Sequence, residues 1–461
     1  MPSGAGTATI GGMTACIREP ARELPVVHEA DICVVGGGCT GVFAAVRAAR
    51  LGARVAIIEK QNGFGGVATA AGVNIWHSLY ATDGCRQIIA GLTQEVIGRL
   101  ARRDAVTGST ARAGAFAFNP EELKIELDEL VVEHRIAPFL HTFYAAPALE
   151  GGRLQAVVVE NKNGRQAIRA RYFVDATGDA DLARSAGVAC REPGALQPPT
   201  ACAKIQGLAT LKDFNWTAAL SRHGPAFGLE EDWGWGSVIP GLLDIQMRAD
   251  NHVFQTDVSD AGQLTRGEIE GRRKIRALLD VLRRHGPPGV QVGLVALAAT
   301  LGGRETRRIA ARHCLTGDEL LSGHRFPDAI ANGTYPVDTH HAEGPGITFR
   351  FLDGTEKTIP DRHSPAIASR WRDPLPVDPT FYQIPFRCLV QNTVPNLVVA
   401  GRMLDADKTA FSAVRVMVNL NQTGEAAGVA CVLAARDSRA VADVDPDALR
   451  RLLAEGGSIM L

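Results

Sequence analysis

Residues 31–59 read DICVVGGGCTGVFAAVRAARLGARVAIIE, and the hydrophobic pattern within them changes period twice. Ile32 to Val35 is a short, largely β-branched run ended by Gly36, which predicts a buried strand. Val42, Ala45, Val46 and Ala49 then recur at helical spacing. Gly52 stops that helix, and Arg54 to Glu59 is a second apolar strand. Two strands joined through a helix of this length must lie parallel, as one βαβ unit. Gly36, Gly38 and Gly41 spell G-x-G-x-x-G in the turn. The first glycine permits the tight turn, the second lets the backbone approach a pyrophosphate, and the third allows close helix–sheet packing. Glu59 ends the second strand about 20 residues on, where a carboxylate accepts bonds from a ribose diol. The segment predicts a dinucleotide-binding turn, which NAD and FAD would satisfy alike.

Composition bounds what surrounds this unit. A chain of 461 residues suggests two or three domains. A hydrophobic fraction of 46% and a charged fraction of 21% are ordinary for a globular protein, and a net charge of −1 gives no global field for nucleic acid. The nine cysteines include no C-x-x-C pair, which argues against a dithiol centre or a zinc knuckle and for buried thiols in a reducing compartment. No apolar run reaches about 18 residues, so no membrane span is expected. Residues 1–27 lack the apolar stretch of a secretion signal and read as a flexible arm, which leaves a homo-oligomer interface open. The expected location is the cytoplasm.

Further along, a helix is predicted from about Asp83 to Arg103. A second is predicted over residues 119–134, with Asn119 as cap and Pro120 in the first turn. Residues 153–160 and 165–175 read as a hairpin turning at Asn163-Gly164. From Arg191 to Phe381 regular patterning weakens, apart from one charged helix near 265–285. At Asn396 a strand pattern returns, followed by a long Ala-rich helix through Ala435. The expectation is an α/β protein with a Rossmann-like domain split in sequence. Residues 28–190 form its first part, 191–381 an inserted α+β substrate or cap domain, and 382–461 its closing part.

Three more segments carry a resemblance: KQNGFGGVATAAGVN from Lys60, FVDATGDADLA from Phe173, and NLVVAGRMLDADKTAFSAVRVMVNLNQTGEAAGVA from Asn396. With LGGRETRRIA and FPDAIANGTYPVDTH between them, the chain resembles the FAD-dependent oxidoreductases of the glutathione-reductase structural class. The nearest subgroup relates fumarate-reductase-like flavoproteins to bacterial dehydrogenases. The resemblance implies FAD as cofactor. Gly65 and Gly66 would pass close to flavin and pyrophosphate, with Ala68 and Thr69 next to the ring. Cys39 and Thr40 in the first turn and Lys60 beside Glu59 join the same set. Tyr144 falls on the strand that meets the adenine, and Asp175, Gly178 and Asp179 match a turn near pyrophosphate and ribose. Gly401 and Arg402 match the turn after the last strand. Arg415 and Val416 match the start of a helix aimed at the flavin's O2 side, where reduced flavin is negative and a helix N-terminus with Arg415 would stabilise it.

Candidates for the chemistry lie downstream of the flavin turn and in the inserted domain. His77, in NIWHSLY, is a base, donor or flavin contact. In GGRETRRI, read as helical, Arg304 and Arg307 are expected inward to hold a carboxylate or phosphate in two-point fashion, with Arg308 on a solvated face. TYPVDTHH brings together Tyr335, Asp338, His340 and His341. Adjacent histidines on a strand point to opposite faces, so His340 is expected inside, His341 outside, and no metal site is expected. Tyr382 is a further wall candidate, and EDWGWGS could line a pocket or belong to the core.

The chain is therefore expected to be an FAD-dependent dehydrogenase or oxidase that moves hydride from a small polar substrate, at an alcohol carbon, to FAD. Reduction of an activated C=C bond and a non-catalytic electron-relay subunit are the alternatives. Gly302-Gly303 lacks the strand spacing of a second dinucleotide turn, so electrons should leave to oxygen, a quinone or a carrier protein.

Overall fold

The computed structural model describes residues 16–108, 114–191 and 194–461. Strand Val26–Val35, helix Cys39–Arg50 and strand Val55–Ile58 form the expected βαβ unit, with Ile32 opposite Val55 in a parallel pair. Ile32 to Val35 are buried, as a parallel strand covered on both faces must be. The sheet holds seven strands, running from Ala137–Phe139 through Val55–Ile58, Val26–Val35, Gly164–Asp175 and Arg153–Asn161 to Phe143–Glu150, with Leu397–Val399 beside the end of Gly164–Asp175. The hairpin turning at Asn163-Gly164 is thus the antiparallel extension of a parallel sheet. Val35, Ile58, Asp175 and Val399 end their strands at the same edge, because all four strands run parallel in this register. Crevices beyond such strand ends are where this class of sheet binds ligands.

Helix Cys39–Arg50 lies against helix Met417–Asp437. A Cβ on Gly424 would fall 2.1 Å from the Thr40 carbonyl oxygen, and one on Gly428 would fall 2.2 Å from that of Ala44. This register makes the two helices run in the same direction, so both N-termini reach the edge where the strands end.

Several local expectations are corrected. Of the expected arm, residues 1–15 lie outside the described residues, 16–25 carry no regular structure, and Val26 already belongs to the first strand. The helix expected from Asp83 begins only at Gly91, because Asp83 closes a turn by accepting the Cys85 N–H at 2.8 Å. The Ala-rich C-terminal helix is two helices, Lys408–Val414 and Met417–Asp437, separated where Val416 is extended at φ −72° and ψ 148°. Residues 301–310 are not helical. Arg308 and Ile309 form a short strand against Cys190 and Arg191. Arg308 is buried rather than solvated, paired with Glu305 at 2.7 Å and lying over the Phe411 ring. The Asn119 cap forms as expected, its side chain accepting the Glu121 N–H at 3.0 Å.

Between the two parts of the sheet domain lie two antiparallel sheets. One orders Trp235–Val238, Ile245–His252, Thr200–Gln206 and Gly293–Leu297, with helix Ala261–His285 packed on it. The other runs Val337–His340, Ile347–Arg350, Thr355–Ile359 and Ile367–Arg370. A second hydrophobic core is confined to residues between Ala201 and Leu301, whereas Ile309, Leu320, Ile330 and Val337 pack into the main one. Among the described residues no helix is long and apolar enough to cross a membrane.

Candidate active site

Beyond the strand ends lies a cavity of about 340 Å³. Its floor is the first glycine turn. Gly36 has φ +105° and its Cβ would fall 2.3 Å from the Ala176 carbonyl oxygen, and a Cβ on Gly41 would fall 1.9 Å from that of Gly36. Neither position admits a side chain. Gly38 faces open space instead, as a ligand's close approach requires.

Charge in this cavity is prepared for an anion. The N-termini of Cys39–Arg50 and Met417–Asp437 both line it, and neither helix has a side-chain cap or an acid in its first turn. Asn119, Asp260 and Asp445 do cap helices that begin elsewhere. The positive helix ends are left for a ligand. Glu59 is held rigidly beside them, Oε2 accepting the Gly37 N–H at 2.7 Å and Oε1 accepting the Gln61 N–H at 2.8 Å. Each oxygen keeps a lone pair for a hydroxyl. These residues fit the FAD that the resemblance implies.

Gly36, Gly38, Cys39, Thr40, Glu59 and Lys60 border the cavity. Gly65, Gly66, Tyr144, Gly178, Asp179, Gly401 and Arg402 line it too. Other expected contacts sit back from it. Ala68 is fully buried, and Thr69 donates its hydroxyl to the Phe64 carbonyl at 2.7 Å. Asp175 lies beneath the cavity and builds the turn above, accepting the N–H groups of Thr177 and Ala183 and the Thr177 hydroxyl. Burial outweighs those bonds and pushes its carboxyl up to about 6. Asp179 pairs with Arg402 at 2.6 Å and accepts the Thr306 hydroxyl at 2.9 Å. Sequence reasoning missed Val67, Ala70, Ala71, Leu301 and Leu420, which supply an apolar wall.

A second group of residues gathers where Gly303 and Met417, both lining the cavity, lead into Arg304 and back to Arg415. Arg415 does not point into the cavity. Its Nη2 reaches Asp338 Oδ1 at 3.1 Å and the Asp338 carbonyl at 2.9 Å. Val416 serves only as the extended start of the helix. Tyr335 donates its hydroxyl to Asp338 Oδ2, and His340 Nε2 lies 3.4 Å from Oδ1. His77 packs on the Tyr335 ring, centroid to centroid 4.0 Å. Four of the six residues expected to do chemistry, His77, Arg304, Tyr335 and His340, are thus brought together from three stretches of chain. His341 turns away to Thr348 and the Pro345 carbonyl.

Two candidates stand apart. Arg307 bridges to Asp181 at 3.1 Å and so ties its segment to the sheet domain. Tyr382 is fully buried, with its hydroxyl between the Tyr335 and Ala413 carbonyls and the Asn419 amide, and it does not line the cavity at the strand ends.

The cluster also holds a pair that sequence reasoning did not find. His252 Nδ1 lies 2.9 Å from Asp232 Oδ1, and the His252 backbone N–H donates to Oδ2 at 2.7 Å. The His252 ring sits 4.8 Å from that of His340, and Trp233 meets His340 edge-on at 5.7 Å. Burial drives all three imidazoles toward the neutral form. His77 is lowered to about 4, with Asp338 opposing and Arg415 adding to the effect. His340 is held well below its usual range by burial, Arg304 and His252. His252 is lowered by burial against the pull of Asp232. Burial and Asp338 together push the Tyr335 hydroxyl up, keeping it a donor.

The sequence model of the FAD dependent oxidoreductase family matches residues 31–453. Thiamine thiazole synthase of Pyrococcus abyssi is 25% identical over 173 residues, which is 36% of this chain and 63% of that protein. This chain therefore spans less than two thirds of that relative. Among solved structures, a geranylgeranyl bacteriochlorophyll reductase-like protein of Thermoplasma acidophilum is 11% identical, with 93% of this chain and 83% of that one covered at a TM-score of 0.46. THI4 of Thermovibrio ammonificans is 24% identical over 36% of this chain and 66% of that one, at a TM-score of 0.28. With a family match running from the first strand of the βαβ unit to the last helix, the chain belongs to the FAD dependent oxidoreductase family, an enzyme family whose cofactor is FAD.

Proposed function

We propose that the enzyme oxidises a small polar substrate at an alcohol carbon. The carrying observation is the neutral imidazole of His340 beside the Asp338 carboxylate, 3.4 Å away, in a cluster joined to the cavity through Gly303 and Met417. Gly36, Gly38, Glu59, Gly65, Asp179 and Arg402 would hold the FAD, which when bound supplies the two-electron acceptor. His340, unprotonated at neutral pH, takes the substrate hydroxyl proton, and Asp338 stabilises the imidazolium so formed. Tyr335 donates to Asp338 and keeps it in place. His77 covers the Tyr335 ring. Both sheets between residues 200 and 370 are antiparallel, which supports an acceptor other than a nicotinamide seated on a second βαβ unit. Oxygen, a quinone or a carrier protein then takes the electrons.

The test is anaerobic bleaching of the yellow protein with a panel of polyols, sugars and hydroxy acids. Arg304→Ala and His340→Ala should keep the flavin spectrum and slow substrate-driven bleaching by about 100-fold or more. Normal rates in both variants would move the chemistry elsewhere. No bleaching by any alcohol, with reoxidation of reduced enzyme by activated alkenes, would favour C=C reduction.

A further inference from the structure

Arg304 is an enclosed guanidinium without a counter-ion. Among the described residues no carboxylate lies within 4.0 Å of it, whereas its neighbours Arg307, Arg308, Arg402 and Arg415 each have one. Its partners are neutral. Nη1 donates to the Pro198 carbonyl, and Nη2 donates to the Thr200 hydroxyl at 2.8 Å and faces His252 Nε2 at 3.4 Å. Asp232, by accepting at Nδ1, leaves Nε2 of His252 as an acceptor, so the imidazole orients the guanidinium and adds no charge. The nearby carboxylate, Asp338, is already engaged by Arg415, Tyr335 and His340.

Five N–H donors meet three acceptors, which leaves the Nε hydrogen and one Nη1 hydrogen unused. Arg304 keeps accessible surface, and Gly303 beside it lines the cavity. An unpaired cation in such surroundings is costly, and burial together with Arg415 pushes Arg304 down to about 10. Completing its shell with an anion removes that cost. One guanidinium suits a single carboxylate, while a phosphate dianion would need a second free cation, and Arg415 is committed to Asp338.

We propose that Arg304 is the seat of a substrate carboxylate, and that the substrate is a small hydroxy acid bound as its anion. This rests on the alcohol-oxidation reading for the hydroxyl, but the carboxylate seat can be tested without turnover. The FAD-loaded protein is titrated calorimetrically with propionate and with propionamide, which match in shape and differ in charge. The flavin absorption spectrum is followed in parallel. Propionate should bind saturably and propionamide at least about 10-fold more weakly. Arg304→Gln should weaken propionate about 10- to 100-fold, the range for losing a charge-assisted hydrogen-bond pair. Arg304→Lys, a point charge without the fork, should fall between.

Equal binding of the acid and its amide, or unchanged propionate affinity in Arg304→Gln, would overturn the proposal. If Arg304→Gln fails to fold, the acid–amide comparison and Arg304→Lys decide alone. Bleaching by neutral polyols with no carboxylate binding would reject the seat and keep alcohol oxidation. Carboxylate binding at Arg304 with no alcohol bleaching would do the reverse.

Discussion

Glu59→Ala separates what the first βαβ unit does for the fold from what it does for the cofactor. In the folded chain this carboxylate accepts backbone N–H groups on both oxygens, at 2.7 and 2.8 Å, and is 7% exposed. Removing it frees the Gly37 and Gln61 amides beside a water-accessible cavity, at about 1 kcal/mol each for the lost bonds. A chain with a core this extensive should stay folded after a loss of about 2 kcal/mol. Binding loses more specifically. If the remaining lone pairs take the ribose hydroxyls of FAD, their loss costs roughly 1.5–3 kcal/mol, a rise in Kd of about 10- to 150-fold. Quenching of flavin fluorescence on titrating apoprotein with FAD measures that ratio, and thermal melting of the apoprotein measures the stability term. ADP carries the same ribose without the flavin, so its affinity should fall by the same factor, while FMN binding should not change. Undiminished FAD affinity in a folded variant, or loss for FAD without loss for ADP, would place the ribose elsewhere.

Gly424→Ala sets a Cβ 2.1 Å from the Thr40 carbonyl and should lower the melting temperature by an overpacking cost of about 1–3 kcal/mol, with weaker FAD retention; Gly98→Ala, whose Cβ meets nothing within 4 Å, should instead stabilise by up to about 1 kcal/mol. His77 resists protonation down to about 4 in the folded state, so the unfolded chain binds the extra proton and stability falls as pH drops from 6.5 toward 4, by at most about 3 kcal/mol. His77→Phe should flatten that decline in melting temperature, measured as a difference between the two proteins because Asp175 and Glu425, raised to about 6 and about 7, add the opposite slope to both. Anaerobic stopped-flow mixing with millimolar NADH or NADPH should leave the flavin oxidised, and bleaching within seconds by either would show that a nicotinamide reaches it.

What could be read from the sequence is what short-range geometry dictates. The G-x-G-x-x-G turn, Glu59, the Asn119-Pro120 helix start and the Asn163-Gly164 hairpin each depend on residues within one or two elements. The failures share a different cause. Arg308 looks like a solvated arginine until Glu305 and Phe411 are placed around it, and the Phe411 contact crosses about a hundred residues of chain. Tyr382 has the composition of a wall residue, but its hydroxyl is taken by carbonyls that only the closed fold supplies. The motif points Arg415 at the flavin, but Val416 breaks the helix without a glycine or proline to announce it, and Arg415 turns onto Asp338. The Asp232–His252 pair has no helical or strand spacing to betray it, although its aspartate lies in the Trp-rich stretch EDWGWGS.

The division of charge between the two sites follows from the same helix pair. Gly424 and Gly428 let helices Cys39–Arg50 and Met417–Asp437 lie side by side in one direction, so their uncapped N-termini add positive potential at the same edge of the sheet. Arg402, the arginine lining that cavity, is itself paired with Asp179. The break at Val416 turns Arg415 out of line with the helix and onto Asp338. Asp338 thereby sits between Arg415 and His340, its Oδ1 3.1 Å from the one and 3.4 Å from the other. With Arg415 spent on that task, Arg304 has no carboxylate within 4.0 Å among the described residues, which is what the proposed carboxylate seat rests on. An Arg415→Met variant should therefore keep FAD affinity but lose the ordering of Asp338. His340 would then titrate differently from the parent in the pH profile of substrate-driven bleaching, whereas a role for Arg415 on the flavin itself would show first as a shift in flavin reduction potential.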